Sequence, residues 1–538
     1  MASAFCTTTP FPSTSQNHIL DGENRFLCSR YVHQQTSYRR TRMVVTEGGG
    51  SGYRDREGPD SLGKAEDVRE LVGKGEKKHA VASAISTKPS LNEALADASA
   101  KCFGRLKEYG CTEPPDLAVL FISSRYSVGF VGRYGRESLD TVVRSLKTFL
   151  PGIGVITGCT ADGVAGQEAD EAQEVFDRAA VSVVFYHLPG VEVRPFHVMP
   201  EDLPGLDAGQ ETWRKLVGGF PLSQKGTPSF ITFGDPTFAS RGGLDEFLEG
   251  VDFAYPRCSV AGALATAAVG SGSGNMFVTL PRDVLDPSSS SLRESGMVGV
   301  ALQGDVELDC LVAQGSRPMG PVYEVSGLRE SGPNIVVTLM KRPGLGSGSQ
   351  WPKTHLESLM EFATPTERRL MESSLCLRVA RDIFKEQLTD DNFLTREIVS
   401  VDRDGGGIEL SCSVKEGDRV QFCVNDAEFA ADNLKQSLQK YKRGELAKNL
   451  LGYSSAPFSI LLFGDSIWGR GMFRVPGLEA QQLASYTGGV PIGGFFSWCG
   501  QIGPAMSKNE KGYNNTRGFH HHAACVVAFL RRKDPLSS

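Results

Sequence analysis

Short apolar runs closed by glycine, with amphipathic stretches between them, organise this chain. Residues 117–122 are uniformly apolar and read as a buried strand. Leu139, Val142, Val143, Leu146, Phe149 and Leu150 share one face of a helix that Pro151-Gly152 stops. The run 154–157 returns as a strand into Gly158-Cys159-Thr160. Upstream, Ser90-Leu-Asn-Glu93 has the form of a capping box, and Leu91, Ala94, Leu95, Ala98, Cys102 and Leu106 follow at helical spacing. Order is expected from about Pro89 onward. Further strands are predicted at 180–187, 191–197, 275–280, 296–302 and 306–313. The second half predicts a helix over 365–387 and strands at 397–402, 408–412 and 419–424. Asn425 or Asp426 caps the next helix, with Phe429, Ala430, Leu434, Leu438 and Tyr441 on its apolar face. A strand at 458–463, a helix at 478–486 and strands at 490–496 and 523–530 complete the pattern.

One phrase occurs twice: Ser229-Phe-Ile-Thr-Phe-Gly-Asp235 and Ser459-Ile-Leu-Leu-Phe-Gly-Asp465. Arg241-Gly242 follows the first and Arg470-Gly471 the second. Each leads to a glycine-bearing segment, around Ala261-Gly262 and Ile492-Gly493-Gly494. Self-similarity at a long period implies related halves, and a ligand is most readily held where such halves meet. The pattern over 117–160 resembles both copies and suggests an earlier, weaker third. The fold class is α/β (mixed α+β): two related sheet-and-helix domains packed together behind a disordered leader. The turn-rich Gln314-Gly-Ser-Arg-Pro-Met-Gly320 is the expected boundary, giving domains at 89–318 and 319–533. The Gly/Ser-rich 341–350 is an expected loop.

Composition adds an address and removes some partners. A net charge of -6 without a basic stripe argues against nucleic acid. No apolar run approaches the roughly 18–20 residues of a transmembrane segment. Residues 1–20 carry no charge and many Ser, Thr and Pro. Residues 21–43 carry Arg25, Arg30, Arg39, Arg40 and Arg42 against Asp21 and Glu23. Such a leader resembles a transit peptide over 1–43. The opening Met-Ala-Ser favours the chloroplast stroma; mitochondrion and cytoplasm are the alternatives. A disordered linker is expected over 44–88. The 12 cysteines include no Cys-x-x-Cys pair, so no structural metal site is expected.

The candidate chemistry is that of binding. Gly158, Cys159 and Thr160, and Gly494 with Phe495, Phe496 and Ser497, stand at strand ends, where α/β sheets hold ligands. Glycine lets backbone N–H groups approach a ligand, although the same glycines also serve simple close packing. Arg470 beside Gly471, and Arg317 in its Gly-Ser-Arg-Pro turn, suit bidentate capture of a carboxylate. Their alternative is an ion pair with a neighbour. Phe495, Phe496 and Trp498 would supply apolar walls. Asp235 and Asp465 read as turn or cap residues. Cys499 is a redox thiol only if a positive group lowers its pKa; otherwise it is a small buried side chain. His520 and His522 share a face of an extended segment, with no third ligand evident. No nucleophile–base pair or phosphate loop stands out, so no catalytic residue and no enzymatic activity are expected.

Several segments resemble one family. Gly158-Cys-Thr-Ala-Asp-Gly-Val164 resembles the glycine-cysteine turn of the FIST N-terminal domain, and Ala313-Gln-Gly-Ser-Arg-Pro-Met-Gly-Pro321 its closing motif. Val414-Lys-Glu-Gly-Asp-Arg-Val-Gln-Phe422, with the Asn425-Asp426 helix start, resembles the FIST C-domain signature. Gly494-Phe-Phe-Ser-Trp-Cys-Gly-Gln-Ile-Gly503 is similar to that domain's Gly-Phe-Phe-x-x-Gly-Glu-Ile motif. The resemblance implies a sensory or signalling protein that binds a small molecule, such as an amino acid, near the domain junction. It would report to an unidentified protein partner. A ligand-free interaction scaffold is the alternative. No cofactor is expected, a haem-based gas sensor being the lesser alternative that some bacterial relatives suggest. The chain departs from the family at Gln501, where Glu is usual, and at Ser316, where Cys is common.

Overall fold

The structure, a computed structural model, describes residues 78–533 apart from 127–138, 206, 222–225, 267–273, 282, 284–290, 330–331, 342–347, 383, 402–405, 451, 453–455, 469–472, 474–476 and 505–517. The leader 1–43, most of the linker, Arg470 and Gly471 lie outside the described residues, as does most of the loop expected at 341–350.

The chain folds as three repeats of one unit. The first holds β1 (Ala80–Ser86), α1 (Leu91–Glu108), β2 (Leu117–Ser123), α2 (Val142–Phe149), β3 (Val155–Ala161), the hairpin β4 (Gly163–Glu168) and β5 (Glu171–Val175), and β6 (Val181–His187). The second holds β7 (Val191–Val198), α3 (Gln210–Leu216), β8 (Ser229–Gly234), α4 (Pro236–Ser240), α5 (Gly243–Ala254), β9 (Val260–Leu264), β10 (Met276–Val278), β11 (Leu292–Arg293) and β12 (Met297–Gly304). The third opens with β13 (Glu307–Gln314) and is then interrupted. Its remainder is α8 (Ala427–Leu450), β20 (Pro457–Gly464), α9 (Leu478–Thr487), β21 (Ile492–Phe496), β22 (Gln501–Pro504), β23 (Gly518–His521) and β24 (Ala524–Arg531). The interruption is a closed barrel of β14 (Ser316–Arg329), β15 (Gly332–Lys341), β16 (Leu375–Ala380), β17 (Phe393–Val401), β18 (Ile408–Leu410) and β19 (Arg419–Asn425), with α6 (Pro352–Phe362) and α7 (Pro365–Ser374) between β15 and β16.

Each repeat gives its hairpin to a neighbour. The sheet orders are β1-β6-β2-β3-β10-β11, β7-β12-β8-β9-β22-β23 and β13-β24-β20-β21-β4-β5. The hairpin of repeat two therefore closes the sheet of repeat one, that of repeat three closes repeat two, and that of repeat one closes repeat three. The exchange covers the edges that β3, β9 and β21 would otherwise expose and ties the repeats into a ring. Within each repeat two strands run parallel, with Leu120 opposite Gly158, Thr232 opposite Gly262 and Leu462 opposite Gly494. A Cβ on these glycines would lie 1.9, 1.7 and 2.1 Å from the facing carbonyl oxygen. Only glycine permits that approach.

The next strand position carries the same side chain in all three copies. Phe121, Phe233 and Phe463 form a triangle with ring centroids 5.7, 6.4 and 6.2 Å apart. All three are fully buried and belong to one core that draws on all three sheets. They mark the pseudo-threefold axis of the ring.

The structure corrects three expectations. Order begins before Pro89: β1 is buried at all seven positions and pairs with β6 inside the expected linker. Its Ala-Val-Ala-Ser-Ala-Ile-Ser sequence has little strand propensity of its own and is held by pairing and burial. The expected boundary turn at 314–320 is instead the start of β14. Ser316 to Met319 pair only with β19, so the missing N–H of Pro318 is tolerated on that edge. The helix expected over 365–387 stops at Ser374, because Leu375–Ala380 is claimed as a strand between β17 and β19.

Candidate functional site

The carboxyl ends of the parallel strands meet at one end of the axis. Two residues beyond each phenylalanine, on the same strand face, stand Ser123, Asp235 and Asp465, all buried. Four residues beyond Gly158, Gly262 and Gly494, the equivalent glycines of the three repeats, stand Asp162, Thr266 and Trp498. Backbone bonds stitch these turns together across repeats. Asp162 N–H donates to Phe496 O at 3.0 Å, and Thr266 N–H to Thr160 O at 2.9 Å. Trp498 N–H donates to Asp162 Oδ2 at 3.3 Å.

Asp162 is the accessible acid of this cluster. Burial raises its carboxyl above the ordinary range, opposed by hydrogen bonds from Ser466, Trp498 and Thr266 and by the nearby charge of Arg125. Around it Trp498 is 52% exposed and Ile467 37%. Arg125 is exposed as well, and its Nε–H donates to Phe176 O at 3.1 Å. One end of the axis thus offers a carboxylate, the half-buried Ser466 hydroxyl, a guanidinium and two apolar surfaces.

The other acids are occupied. Asp235 caps α4, taking the Phe238 N–H at 3.2 Å and the Thr237 hydroxyl. Asp465 takes the Ile467 N–H at 2.8 Å and the Ala523 N–H at 3.1 Å. Burial pushes Asp465 up to about 7, and the charges of Asp162 and of Glu397 on the barrel push the same way. Both acids fill the turn and cap roles read from the sequence.

Most residues singled out from the sequence build the floor of this site rather than its surface. Gly158 and Gly494 permit strand approach, as above. Cys159 lies in the central core, its thiol raised by burial. Thr160 donates to Thr266 O at 2.8 Å and accepts from Asn275 N at 3.1 Å. Phe495 stacks on Phe121 at 4.9 Å, and Phe496 packs on Phe176 at 4.6 Å. Both rings are fully buried, so of the expected walls only Trp498 faces outward. Ser497 Oγ accepts the Cys499 N–H at 3.1 Å. Gln501 Nε2 donates to Gly464 O at 3.1 Å and Ser497 O at 2.9 Å; its buried Oε1 has no partner among the described residues. Cys499 is buried, and the charges nearest it are Asp162, Asp465 and Asp235. Burial and those acids raise its thiol, the opposite of what a reactive thiolate needs.

Arg317 lies apart, on the barrel. Its Nε donates to Asp426 at 2.8 Å and its Nη1 to Glu367 at 3.1 Å. The ion-pair alternative describes it. His520 Nε2 sits 3.2 Å from Cys499 O, and His521 Nε2 3.2 Å from Gly503 O. Burial, then Arg396, lowers both rings to about 3. Arg396 also anchors the barrel on the exchanged hairpin, donating to His520 O at 2.9 Å.

Asp162, Thr266, Ser466 and Arg125 were not singled out from the sequence. Asp162 had a signal, since it follows Gly158 by the same spacing that separates Trp498 from Gly494.

The chain matches the FIST N domain over residues 116–339 and the FIST C domain over 356–504. It belongs to the FIST family. FIST domains are small-ligand-binding sensory and signalling domains. An uncharacterised Mycobacterium tuberculosis protein is 27% identical over 445 residues, covering 82% of this chain and 98% of the relative. An uncharacterised Mycobacterium bovis protein is 26% identical over 427 residues, covering 79% and 94%. In this FIST protein the N-domain match ends inside β15 and the C-domain match begins inside α6. The interval between them falls within the barrel insertion, while the axis site draws on both matches.

Proposed function

We propose that this FIST protein is a non-enzymatic sensor of a free amino acid, acting in the chloroplast stroma and signalling to a protein partner. The ligand sits at the axis end. Its ammonium pairs with Asp162, its carboxylate with the free face of the Arg125 guanidinium, and its side chain lies on Trp498 and Ile467. The observation that carries this reading is Asp162. It is a partly exposed acid at an end of the axis where turns of all three repeats are hydrogen-bonded together, with an arginine in electrostatic reach.

The barrel is the natural output. Ile467, at the mouth, adjoins Trp468, which is fully buried against Gly315; a Cβ on Gly315 would lie 2.1 Å from the indole. Gly315 leads directly into β14. A ligand that moves the 465–468 turn therefore moves the root of the barrel. The barrel in turn presents Phe362 and Phe384 almost wholly to solvent, as a protein-docking surface requires.

Isothermal titration with free amino acids, and with matched amines and carboxylic acids lacking one charge, tests the reading. Wild type should bind an amino acid at least about tenfold more tightly than either single-charge analogue. Asp162→Asn should lose about tenfold or more in affinity without a lower melting temperature. Equal affinity in the variant, or no binding of any amino acid by wild type, would sink it.

A further inference from the structure

The barrel brings two cysteines together. β16 and β19 are antiparallel neighbours, and Cys376 on the first faces Cys423 on the second in direct register. Directly opposed residues of an antiparallel pair stand about 4.5–5.5 Å apart at Cα, within the span of about 4.4–6.8 Å that a disulfide bridges. The two thiols are also in contact: the hydrogen bond with Cys423, then burial, raises the Cys376 thiol above its ordinary range, so oxidation is slow and the pairing of the two sulfurs, not thiolate reactivity, is what favours the bond. Among the described cysteines no other two face each other across a ladder. Cys102, Cys159 and Cys525 lie in three different apolar clusters, and Cys258 and Cys499, which share a fourth, stand outside any strand ladder.

We propose that Cys376 and Cys423 are a redox modification site, a dithiol that a small disulfide such as oxidised glutathione converts reversibly to a cross-strand disulfide. Cys376 is the attacking thiol, since it keeps 8% exposure where Cys423 has none. It loses its proton to water and attacks one sulfur of the oxidant, forming a mixed disulfide and expelling one glutathione thiolate. Cys423 then loses its proton and attacks the Cys376 sulfur. The Cys376–Cys423 bond forms and the second glutathione thiolate leaves. The two thiolates take up the two protons released, so two protein thiols are oxidised and one glutathione disulfide is reduced to two thiols.

The site is placed to affect the barrel root. The Cys376 thiol lies 3.6 Å from Ser374 O and 3.9 Å from Asn425 Oδ1. The same Asn425 oxygen accepts the hydroxyl of Ser316, the first residue of β14, at 2.8 Å. Turning the Cys376 sulfur onto Cys423 withdraws it from Asn425. On its other flank Cys376 faces Glu397 across β17, with Asp465 of the axis site in electrostatic reach.

The test equilibrates the reduced full-length protein, kept folded by circular dichroism, in glutathione buffers of graded oxidation. Remaining thiols are then alkylated under denaturing conditions and the peptides mapped by mass. The expected product is a linked peptide pair joining Cys376 to Cys423, two hydrogens lighter than the reduced pair and restored by dithiothreitol. Cys423→Ser should abolish the link and leave glutathione on Cys376. Cys376→Ser should abolish the link and leave Cys423 unmodified. Two outcomes overturn the proposal: both cysteines fully alkylated at every ratio in folded protein, or a link that forms only once the protein has been unfolded.

Discussion

Glu479 is expected to fold as a neutral acid, and the pH dependence of one substitution exposes it. It sits in the first turn of α9 with no solvent exposure, and neither carboxyl oxygen has a partner among the described residues. Glu174, on the hairpin exchanged from repeat one, reaches the same turn. It accepts the N–H groups of Gly477 at 3.0 Å and Ala480 at 2.7 Å. Burial pushes Glu174 up to about 7 against those bonds. Burial, then the charges of Glu174 and Asp465, pushes Glu479 well above 4.5. Of the two, Glu174 is equipped to carry charge, because backbone donors at a helix N-terminus favour its anion. The sign follows. An unfolded Glu479 ionises near 4.5, while the folded one keeps its proton well above that. Folding therefore takes up a proton throughout this window, and stability falls as pH rises, by about 1.4 kcal/mol per pH unit. Glu479→Gln keeps the shape and removes the uptake. The variant should match wild type near pH 4.5 and gain on it progressively as pH rises above that. Urea unfolding of both proteins across that range, followed by circular dichroism, measures the difference. A difference independent of pH would refute the assignment of the proton to Glu479.

Three other outcomes are expected. Gly262→Ala drives a methyl to 1.7 Å from Thr232 O, so it should cost more than about 3 kcal/mol and shift the urea midpoint accordingly; a midpoint within error of wild type would contradict the strand approach. Arg317→Ala strands Asp426 and Glu367 and should destabilise the barrel by about 1–2 kcal/mol while leaving amino-acid affinity unchanged by calorimetry. Residues 1–43 fused to a fluorescent protein should carry it into chloroplasts in leaf protoplasts; diffuse cytoplasmic signal would remove the proposed address.

The sequence showed where strands end better than what those ends do. The twice-spoken Gly-Asp phrase, and the weaker pattern over 117–160, do mark equivalent parts of three repeats, because glycine at the approach point and phenylalanine on the axis are positions that packing keeps. The barrel was legible in part. Its strands β17, β18 and β19 fall on the strands expected at 397–402, 408–412 and 419–424, but β16 is held on one side by β19, further along the chain, and no local pattern separates Leu375–Ala380 from the helix before it. The hairpin exchange was equally illegible, since β4, β10 and β22 are short and look the same whichever sheet receives them. Arg317 and Phe495 drew attention as polar and apolar groups beside glycines. The fold uses the first for an ion pair and the second for the core. Asp162 drew none, because one acid among 63 acidic residues gains meaning only when its turn is seen to meet two others.

Divergence at those turns is the strongest support for an asymmetric ligand. A ring of three identical repeats would offer three identical groups at its axis and suit a ligand of like symmetry. Here the axis keeps its sameness in the floor, with Phe121, Phe233 and Phe463, and loses it one layer above, with an acid at 162, a hydroxyl at 266 and an indole at 498. Packing alone does not dictate the whole upper layer, since Trp498 is exposed and Asp162 only half-buried, while Thr266 is buried. An acid, a hydroxyl and an aromatic face, with Arg125 alongside, instead match a molecule that has a cationic end, an anionic end and an apolar side chain. Only the third repeat carries the barrel, and Trp498 and Ile467 both belong to it. Under the proposed function, the part of the ligand that varies from one amino acid to another would lie against the repeat that has an output, while the invariant ammonium would be held by the repeat that has none.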